Sequence, residues 1–319
     1  MGSATRIVRM ALNAFFRHYH PAASAAALLA LPFSAAALVS RSLALLAHRQ
    51  VILPTLSRRL RRVLVAAGFP PASQLLFLLN HRLSQSIFSF LATLPFSLSF
   101  LLLAKAYAVR ATQERGRGRS HGEAPAGSAA LLFHRCYPAM ATTQLANFAA
   151  LLCTHAAVFA ALLAAFNATE ALRLGSDGRA VLALSAAGVI VYSVTLANAA
   201  AVCNLATVVA AAEVRGGFHA VLNALLLVRG DAATAVAVAL PANLATAAVE
   251  GLFQLRITRL YILNGKISSA MVCEGFLIAY IHSMICVLDT VITCMVYQTC
   301  KARHSCDLLE LEEKGDLAA

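Results

Sequence analysis

Long apolar stretches are the feature that most constrains how this chain folds. A helix needs about 20 mainly apolar residues to cross the hydrocarbon core of a bilayer. Six stretches meet that need: 22–40, 86–107, 143–166, 180–209, 232–252 and 272–297. Hydrophobic residues make up 60% of the chain and charged residues only 13%, whereas soluble domains carry about a quarter charged residues. The sequence therefore predicts an all-α, polytopic transmembrane helical bundle of about six spans, as one integral membrane domain over residues 1–319.

Two of these stretches carry an interior proline, at Pro32 and Pro95, within the same four residues Leu-Pro-Phe-Ser. An interior proline removes a backbone hydrogen bond and costs roughly 3 kcal/mol in a soluble helix. In a bilayer, where water is not available as another partner, an apolar segment stays helical around the proline. We expect both helices to kink there, and the hydroxyls of Ser34 and Ser97 to bond the carbonyls that the prolines release.

Three segments outside the spans are polar or basic. Residues 56–85 begin with clustered arginines and continue in two short apolar runs broken by a pair of prolines, which predicts an interfacial or re-entrant helical hairpin. The clustered arginines are Arg58, Arg59, Arg61 and Arg62. Residues 108–130 are rich in glycine and arginine and predict a flexible basic loop. Residues 298–319 predict a short acidic tail.

An even number of spans places both termini on the same side of the membrane. The positive-inside count barely separates the two orientations, because basic residues lie on both sides. We expect both termini in the cytosol. In that orientation the glycosylation sequon at Asn167 faces outward, although it directly follows the third span and crowding there can leave it unmodified.

Charge and composition also indicate partners. The net charge is +12, but the arginines are scattered through the segments between apolar runs. That distribution suits a bilayer with anionic headgroups, and we expect no nucleic-acid partner. Several spans are rich in alanine, and small residues let helices approach closely. They predict tight packing and favour a homo- or hetero-oligomer through small-residue faces, although a compositional bias of the genome would give the same alanine content.

A pair of glycines, Gly216 and Gly217, breaks the helix after the fourth span. The segment that follows places apolar and polar residues on different faces, which predicts a short amphipathic helix in the membrane interface. One face holds Phe218, Val221, Leu222, Leu225 and Arg229, and the other holds His219, Asn223 and Gly230. Glu213 would lie at the entrance of this helix, where Arg215 offsets its charge.

The spacing of residues around this helix resembles a motif in a family of plant multi-pass membrane proteins of unknown function. The matching residues are Glu213, Gly217, Ala220, Ala224, Leu227 and Gly230. The segment is also similar to the membrane domain that accompanies some bacterial glycerophosphodiester phosphodiesterases, and the run from Ala22 through "LPFSAAALVSRSLALLAHRQVILP" is similar to the start of the plant proteins. The resemblance implies about six helices in an endomembrane, such as the ER or Golgi, or in the plasma membrane, and no established reaction.

The last span holds ionisable residues, and a charge within a membrane points to function by default. Four residues at helical steps of four, three and four share one face: His282, Cys286, Asp289 and Thr293. This stripe can line a proton or cation route, with His282 and Asp289 exchanging the proton and Glu274 near the mouth. Alternatively it fixes packing by bonding to Asn198 or Asn204 of the fourth span. We expect the packing interpretation, and we expect His155 in the third span to be a packing residue too.

No motif for catalysis stands out. The sequence lacks a phosphate-binding loop, the metalloprotease motif His-Glu-x-x-His and a nucleophile elbow, so we expect no enzyme activity and no cofactor. The eight cysteines form no Cys-x-x-Cys pair, which argues against a metal site. Cys300 and Cys306, beside basic residues just past the last span, are either palmitoylated or free thiols in a reducing cytosol.

Two classes of function remain. The first is a non-enzymatic scaffold or trafficking partner in a plant membrane, acting through its cytosolic loops and tail. The alternative is a small transporter or channel built on the His282 and Asp289 face. Transporters usually show internal repeats or paired broken helices, and the two Leu-Pro-Phe-Ser segments have little similarity around them. A lipid-acting enzyme comes third, supported only by the bacterial resemblance.

Overall fold

The chain is helical wherever the structure describes it. A computed structural model describes residues 2–17, 22–46, 52–66, 74–116, 126–171, 178–229 and 232–316. In these ranges the chain forms eleven α-helices, two π-helical turns and no strand. The predicted all-α class is confirmed.

The helices are long where the sequence is apolar. Their bounds are α1 Gly2–Arg17, α2 Ala22–Leu46, α3 Ile52–Ala66, α4 Gln74–Phe96, α5 Leu102–Gly116, α6 Ala126–Ala171, α7 Gly178–Glu213, α8 Phe218–Val228, α9 Ala232–Phe253, α10 Arg259–Asn264 and α11 Ser269–Asp316. The π-helical turn Ser97–Leu101 joins α4 to α5, and a second one, Gln254–Thr258, joins α9 to α10. Kinks in long helices occur at such turns.

Among the described residues, five helical segments are long and apolar enough to cross a membrane. They are Ile87–Gln113, His134–Leu162, Ala186–Glu213, Ala233–Asn264 and Ser269–Arg303. Each overlaps one of the predicted spans from the second to the sixth. The first predicted span, 22–40, lies on α2, where the apolar segment Ala26–Ser42 is shorter.

The predicted hairpin over 56–85 is only partly as expected. Its first arm is α3, on which the clustered arginines are exposed. Its second arm is not a separate short helix, because α4 begins at Gln74 and continues through the π-helical turn and α5 to Gly116. The two helices α3 and α4 pack against each other, and the proline pair between them lies outside the described residues. The second apolar run is therefore the first part of the helix that carries the second predicted span.

Helical structure also extends into the predicted loop and tail. Within 108–130, α5 runs to Gly116 and α6 begins at Ala126, while 117–125 lie outside the described residues. Within 298–319, α11 continues to Asp316. Apolar stretches predict a span well and a helix end poorly, because a helix can continue into polar residues beyond the bilayer.

Both interior prolines are accommodated in helices, as predicted. Pro32 lies inside α2 and Pro95 inside α4. The π-helical turn follows Pro95 directly, and the Ser99 hydroxyl donates a hydrogen bond to the Pro95 carbonyl over 2.6 Å. The role expected for Ser34 is wrong, since its hydroxyl is buried and has no hydrogen-bond partner within the described part of the chain.

Contacts among the described residues divide the chain into two compact units, each built from segments far apart in sequence. Unit 1 comprises the described residues of Met1–Tyr19, Lys105–Asn243 and Leu288–Ala319. Unit 2 comprises those of His20–Ala104 and Leu244–Val287. Neither unit is a continuous stretch of chain, and the single domain over 1–319 stays a prediction.

Unit 2 combines an apolar core with pairs of hydroxyls. Its core contains Leu38, Phe253, Ile278 and Ala279. The hydroxyls of Ser42 and Thr258 are 2.7 Å apart, and those of Ser40 and Ser89 are 3.0 Å apart. Hydrogen bonds between helices stabilise packing in lipid. Burying an apolar side chain against another helix gains little free energy there, because the lipid around it is also apolar.

In unit 1, α6 and α7 pack closely through small residues. Buried alanines on these helices include Ala146, Ala206 and Ala210. The Asn147 side-chain amide donates to the Cys203 carbonyl over 2.9 Å and to the Thr207 hydroxyl over 3.1 Å. The tight packing predicted from alanine-rich spans is therefore observed between these helices, and an oligomer through such faces stays a prediction.

Candidate functional site

The turn between α7 and α8 is the first candidate site, and its backbone requires glycine at two positions. A Cβ on Gly216 would lie less than 3.0 Å from the Ala139 backbone and the Thr142 hydroxyl on α6. Gly217 has φ +73° and ψ −148°, a region essentially restricted to glycine. Its N–H donates to the Thr143 hydroxyl over 2.9 Å. The predicted helix break is therefore a tight turn seated on α6.

Glu213, the last residue of α7, joins three helices through its carboxylate. Its Oε2 accepts a hydrogen bond from Asn223 Nδ2 on α8 over 3.0 Å. Its Oε1 accepts from the Tyr297 hydroxyl over 2.8 Å and from Lys301 Nζ over 3.2 Å, both on α11. Lys301 Nζ also donates to the Tyr297 hydroxyl over 2.9 Å. We call these four residues, Glu213, Asn223, Tyr297 and Lys301, the Glu213 network.

The network changes one expectation from the sequence. The cation that pairs with Glu213 is Lys301 and not the neighbouring Arg215. Lys301 is 88 residues away from Glu213 in sequence, so no local pattern identifies the pair. Because both carboxylate oxygens accept hydrogen bonds from other helices, the arrangement fixes α8 and α11 against the end of α7.

Helix α8 has a buried side of small residues and an exposed apolar side. Its buried residues are Ala220, Ala224 and Val228. The exposed apolar side chains are Phe218, Leu222, Leu225 and Leu226, which are 53% to 63% exposed. The predicted amphipathic helix is therefore present, its position in the membrane interface stays a prediction, and Gly230 lies outside the described residues.

A second candidate site surrounds a carboxylate of unit 2. Glu250 Oε2 accepts a hydrogen bond from Arg41 Nη1. Its Oε1 lies 3.9 Å from His282 Nε2, and the His282 side chain is only 4% exposed. That nitrogen has no hydrogen-bond partner among the described residues, while Nδ1 lies 3.8 Å from Cys286 Sγ. We call Arg41, Glu250, His282 and Cys286 the Glu250 cluster.

A third candidate site is Asp289 in unit 1. Its Oδ2 accepts a hydrogen bond from Asn204 Nδ2 on α7 over 3.1 Å. Lys105 is near enough to interact electrostatically with the carboxylate. The Thr293 hydroxyl donates to the Asp289 carbonyl over 2.8 Å. One of the two partners predicted for the stripe, Asn204, is therefore observed.

The four stripe residues of the last predicted span take part in different sites. His282 and Cys286 belong to the Glu250 cluster, and the contact expected between His282 and an asparagine of α7 stays a prediction. The other expected asparagine, Asn198, donates to the Val194 carbonyl of its own helix over 2.9 Å. Glu274, proposed near the mouth of an ion route, pairs with Arg256 over 2.6 Å.

The remaining candidates are placed as follows. His155 Nδ1 is 3.0 Å from the Tyr192 hydroxyl, a contact between α6 and α7 that agrees with a packing residue. Cys300 is half-buried on α11. The side chains of Cys306 and Asn167 lie outside the described residues. In the part of the chain that the structure describes, no three His, Cys, Asp or Glu residues are grouped to hold a metal ion.

Sequence reasoning missed Glu250, although a signal was available. Glu250 is an ionisable residue within a predicted span, and such residues usually face a partner inside the bundle. Arg41 directly follows the first predicted span and was equally visible. The pairing of Arg41 with Glu250 could not be predicted, because the two residues are 209 positions apart in sequence.

These observations define a class of protein: an α-helical chain with several helices long and apolar enough to cross a membrane, joined by polar side-chain contacts. Residues 134–314 match the family described as "Domain of unknown function (DUF8558)". The match covers more than half of the 319 residues, so the chain belongs to this family. No curated protein and no solved structure matches the chain. The Glu213 network lies inside the matched region, whereas Arg41 and Lys105 lie outside it.

Proposed function

We propose that this is an integral membrane protein without catalytic activity that acts as a scaffold or trafficking partner in an endomembrane or the plasma membrane. The observation that carries the proposal is how its carboxylates are used. Glu213, Glu250 and Asp289 each contact a polar side chain of another helix. Groups that hold helices together in this way act as structural supports. A plant source rests on the sequence resemblance alone.

The proposed topology has six spans, with α2 as the first and both termini in the cytosol. In sealed vesicles of cytosol-outward orientation, a tag at either terminus should be cleaved by added protease without detergent. Termini on opposite sides would contradict six spans. Two protected termini would contradict only the orientation.

The scaffold role can be tested by crosslinking the tagged full-length chain in cells. We expect a defined partner to be recovered with the parent chain and with the Asp289→Asn variant in equal amounts. Replacing residues 117–125 or 304–319 with a Gly/Ser segment of equal length should remove this partner while membrane insertion is kept. Loss of the partner in neither replacement would contradict a scaffold that acts through its loop and tail.

A transporter or channel is the second candidate, favoured by one observation. Asn204 and Thr293, which both hydrogen-bond to Asp289, also line a narrow, mainly apolar cleft. If Asp289 carries ions or protons, Asp289→Asn should abolish a pH-dependent flux in reconstituted vesicles at equal protein level.

If Asp289 only packs, the same substitution should be tolerated, because an amide still hydrogen-bonds to Asn204. Asp289→Leu should then lower stability by about 1 to 2 kcal/mol, since it leaves a polar partner unsatisfied. We expect the packing result. A flux in the parent protein that Asp289→Asn removes would make the transporter the leading proposal.

A further inference from the structure

The part of α6 that carries Arg135 lies against the end of α7 in unit 1. The Cys136 thiol on α6 lies 3.8 Å from the carbonyl of Ala211, which is two residues before the end of α7. Arg135, the residue directly before Cys136, therefore lies near the end of α7, and its side chain is exposed.

Further basic side chains come from the turn itself and from α11. Arg215 lies in the turn, directly after α7, and is exposed. Lys301 Nζ is 3.2 Å from Glu213 Oε1 at the end of α7. Arg303 follows on the same helix and is also exposed. We call Arg135, Arg215, Lys301 and Arg303 the basic patch.

The basic patch adjoins the exposed apolar side of α8. This helix begins one residue after Gly217, and Gly217 is bonded to Thr143 on the helix that also carries Arg135. The apolar side of α8 is not covered by another described element, since Phe218 and Leu226 are each 63% exposed. Cations next to a row of large apolar side chains are the pattern of an interfacial helix that binds lipid.

We propose that the basic patch and the apolar side of α8 together form a binding surface for anionic phospholipids. The apolar side chains of α8 lie among acyl chains, and the patch binds the phosphate and carboxylate groups of the lipid head. The surface offers both positive charge and exposed apolar area, which favours a lipid over a free phosphate or a nucleic acid. In the proposed orientation the surface faces the cytosolic leaflet, where anionic lipids are concentrated. The inference rests on the membrane location in the proposed function and not on the scaffold role.

The chain contains no tryptophan, so a single one can report on this surface. The variant Phe218→Trp, reconstituted as a full-length protein in lipid bilayers, places the fluorophore at the start of α8. Its fluorescence is quenched by brominated acyl chains that touch it. Comparing brominated phosphatidylserine with brominated phosphatidylcholine in otherwise equal mixtures gives the relative affinity of the two lipids at the site.

We expect phosphatidylserine to be preferred, by about fivefold for each arginine that contributes. Adding Arg135→Gln and Arg215→Gln should lower this preference by about 25-fold or bring it to unity. The matched control, Arg58→Gln with Arg59→Gln on α3, removes the same charge elsewhere and should leave the preference unchanged. Inorganic phosphate at millimolar concentration should not displace the lipid.

Several results would overturn the proposal. They are equal quenching by the two lipids in the parent variant, an equal loss of preference in both arginine pairs, and displacement by inorganic phosphate, which would indicate a free-anion site. Absence of quenching by either lipid would place α8 outside the bilayer. Resistance of the protein to alkaline extraction, measured on the same membranes, separates these results from failure of the integral membrane location.

Discussion

The Glu213 network and the Glu250 cluster are both built on a carboxylate that joins helices. They differ in how completely the groups around that carboxylate are hydrogen-bonded. Around Glu213, three donors lie within 3.2 Å of the carboxylate oxygens. Around Glu250, Arg41 bonds one oxygen, while His282 Nε2 stays 3.9 Å from the other and lacks a hydrogen-bond partner among the described residues. An unsatisfied buried polar group costs about 1 to 3 kcal/mol.

The two regions also differ in their access to solvent or headgroups. The Lys301 side chain is 55% exposed, whereas that of His282 is 4% exposed. A half-exposed cation such as Lys301 can pair with a carboxylate and lose little of its hydration. A buried histidine must lose its hydration before it can pair. We therefore expect the Glu213 network to stabilise the fold more than the contact between His282 and Glu250 does.

Gly216→Ala should cause the largest loss of stability in the Glu213 region. The added Cβ would meet the backbone of Ala139, which cannot rotate away as a side chain can, so we expect a loss of about 3 kcal/mol. Unfolding of the purified protein in detergent measures it. Gly251→Ala is the control, because a Cβ there meets nothing within 4 Å. A loss in the control as large as that of Gly216→Ala would show that a general effect of alanine and not the turn is responsible.

Glu213→Ala should have the next largest effect. It leaves Asn223 and Tyr297 without their acceptor, at a cost of about 2 kcal/mol, and reduces protection of α8 amides from hydrogen exchange. Glu274→Ala serves for comparison, since it breaks a single pair with the 59% exposed Arg256 and should cost less than about 1 kcal/mol. Equal losses in the two variants would mean that the network adds nothing beyond one surface ion pair.

His282→Phe should have the smallest effect, about 1 kcal/mol or less, because Nε2 has no hydrogen-bond partner among the described residues and Nδ1 makes only a 3.8 Å contact with Cys286 Sγ. Tyr297→Phe removes a hydroxyl that bonds Glu213 over 2.8 Å and should cost more. Both are measured by unfolding in detergent at neutral pH. If His282→Phe costs more than Tyr297→Phe, the contact of His282 with Glu250 is a strong ion pair and the comparison between the two regions is reversed.

The sequence was a good guide to what depends on local pattern. The length of the apolar stretches predicted helices, and the glycine pair predicted the turn before α8, because only glycine adopts the backbone of Gly217. The face of the last predicted span led to Asn204 as a partner of Asp289. These features depend on residues within one helix or at helical spacing.

Contacts between distant segments escaped prediction. The packing of α11 brings Lys301 to Glu213, and no residue near Glu213 in sequence indicates this pairing. The start of α4 was missed for a different reason. A predicted span marks where the chain is apolar, whereas α4 begins twelve residues before the second predicted span, at Gln74, because polar residues such as Asn80 and Gln85 are also compatible with a helix.

The distances in sequence within the Glu213 network also set an order of events during synthesis. Asn223 follows Glu213 by 10 residues, but Lys301 follows it by 88. At translation rates of about 5 to 20 residues per second, roughly 4 to 18 seconds separate the emergence of Glu213 from that of Lys301. During that interval the carboxylate can bond only the α8 side of the network. Helix α8 can therefore pack first, and Tyr297 and Lys301 of α11 complete the network once they have been synthesised.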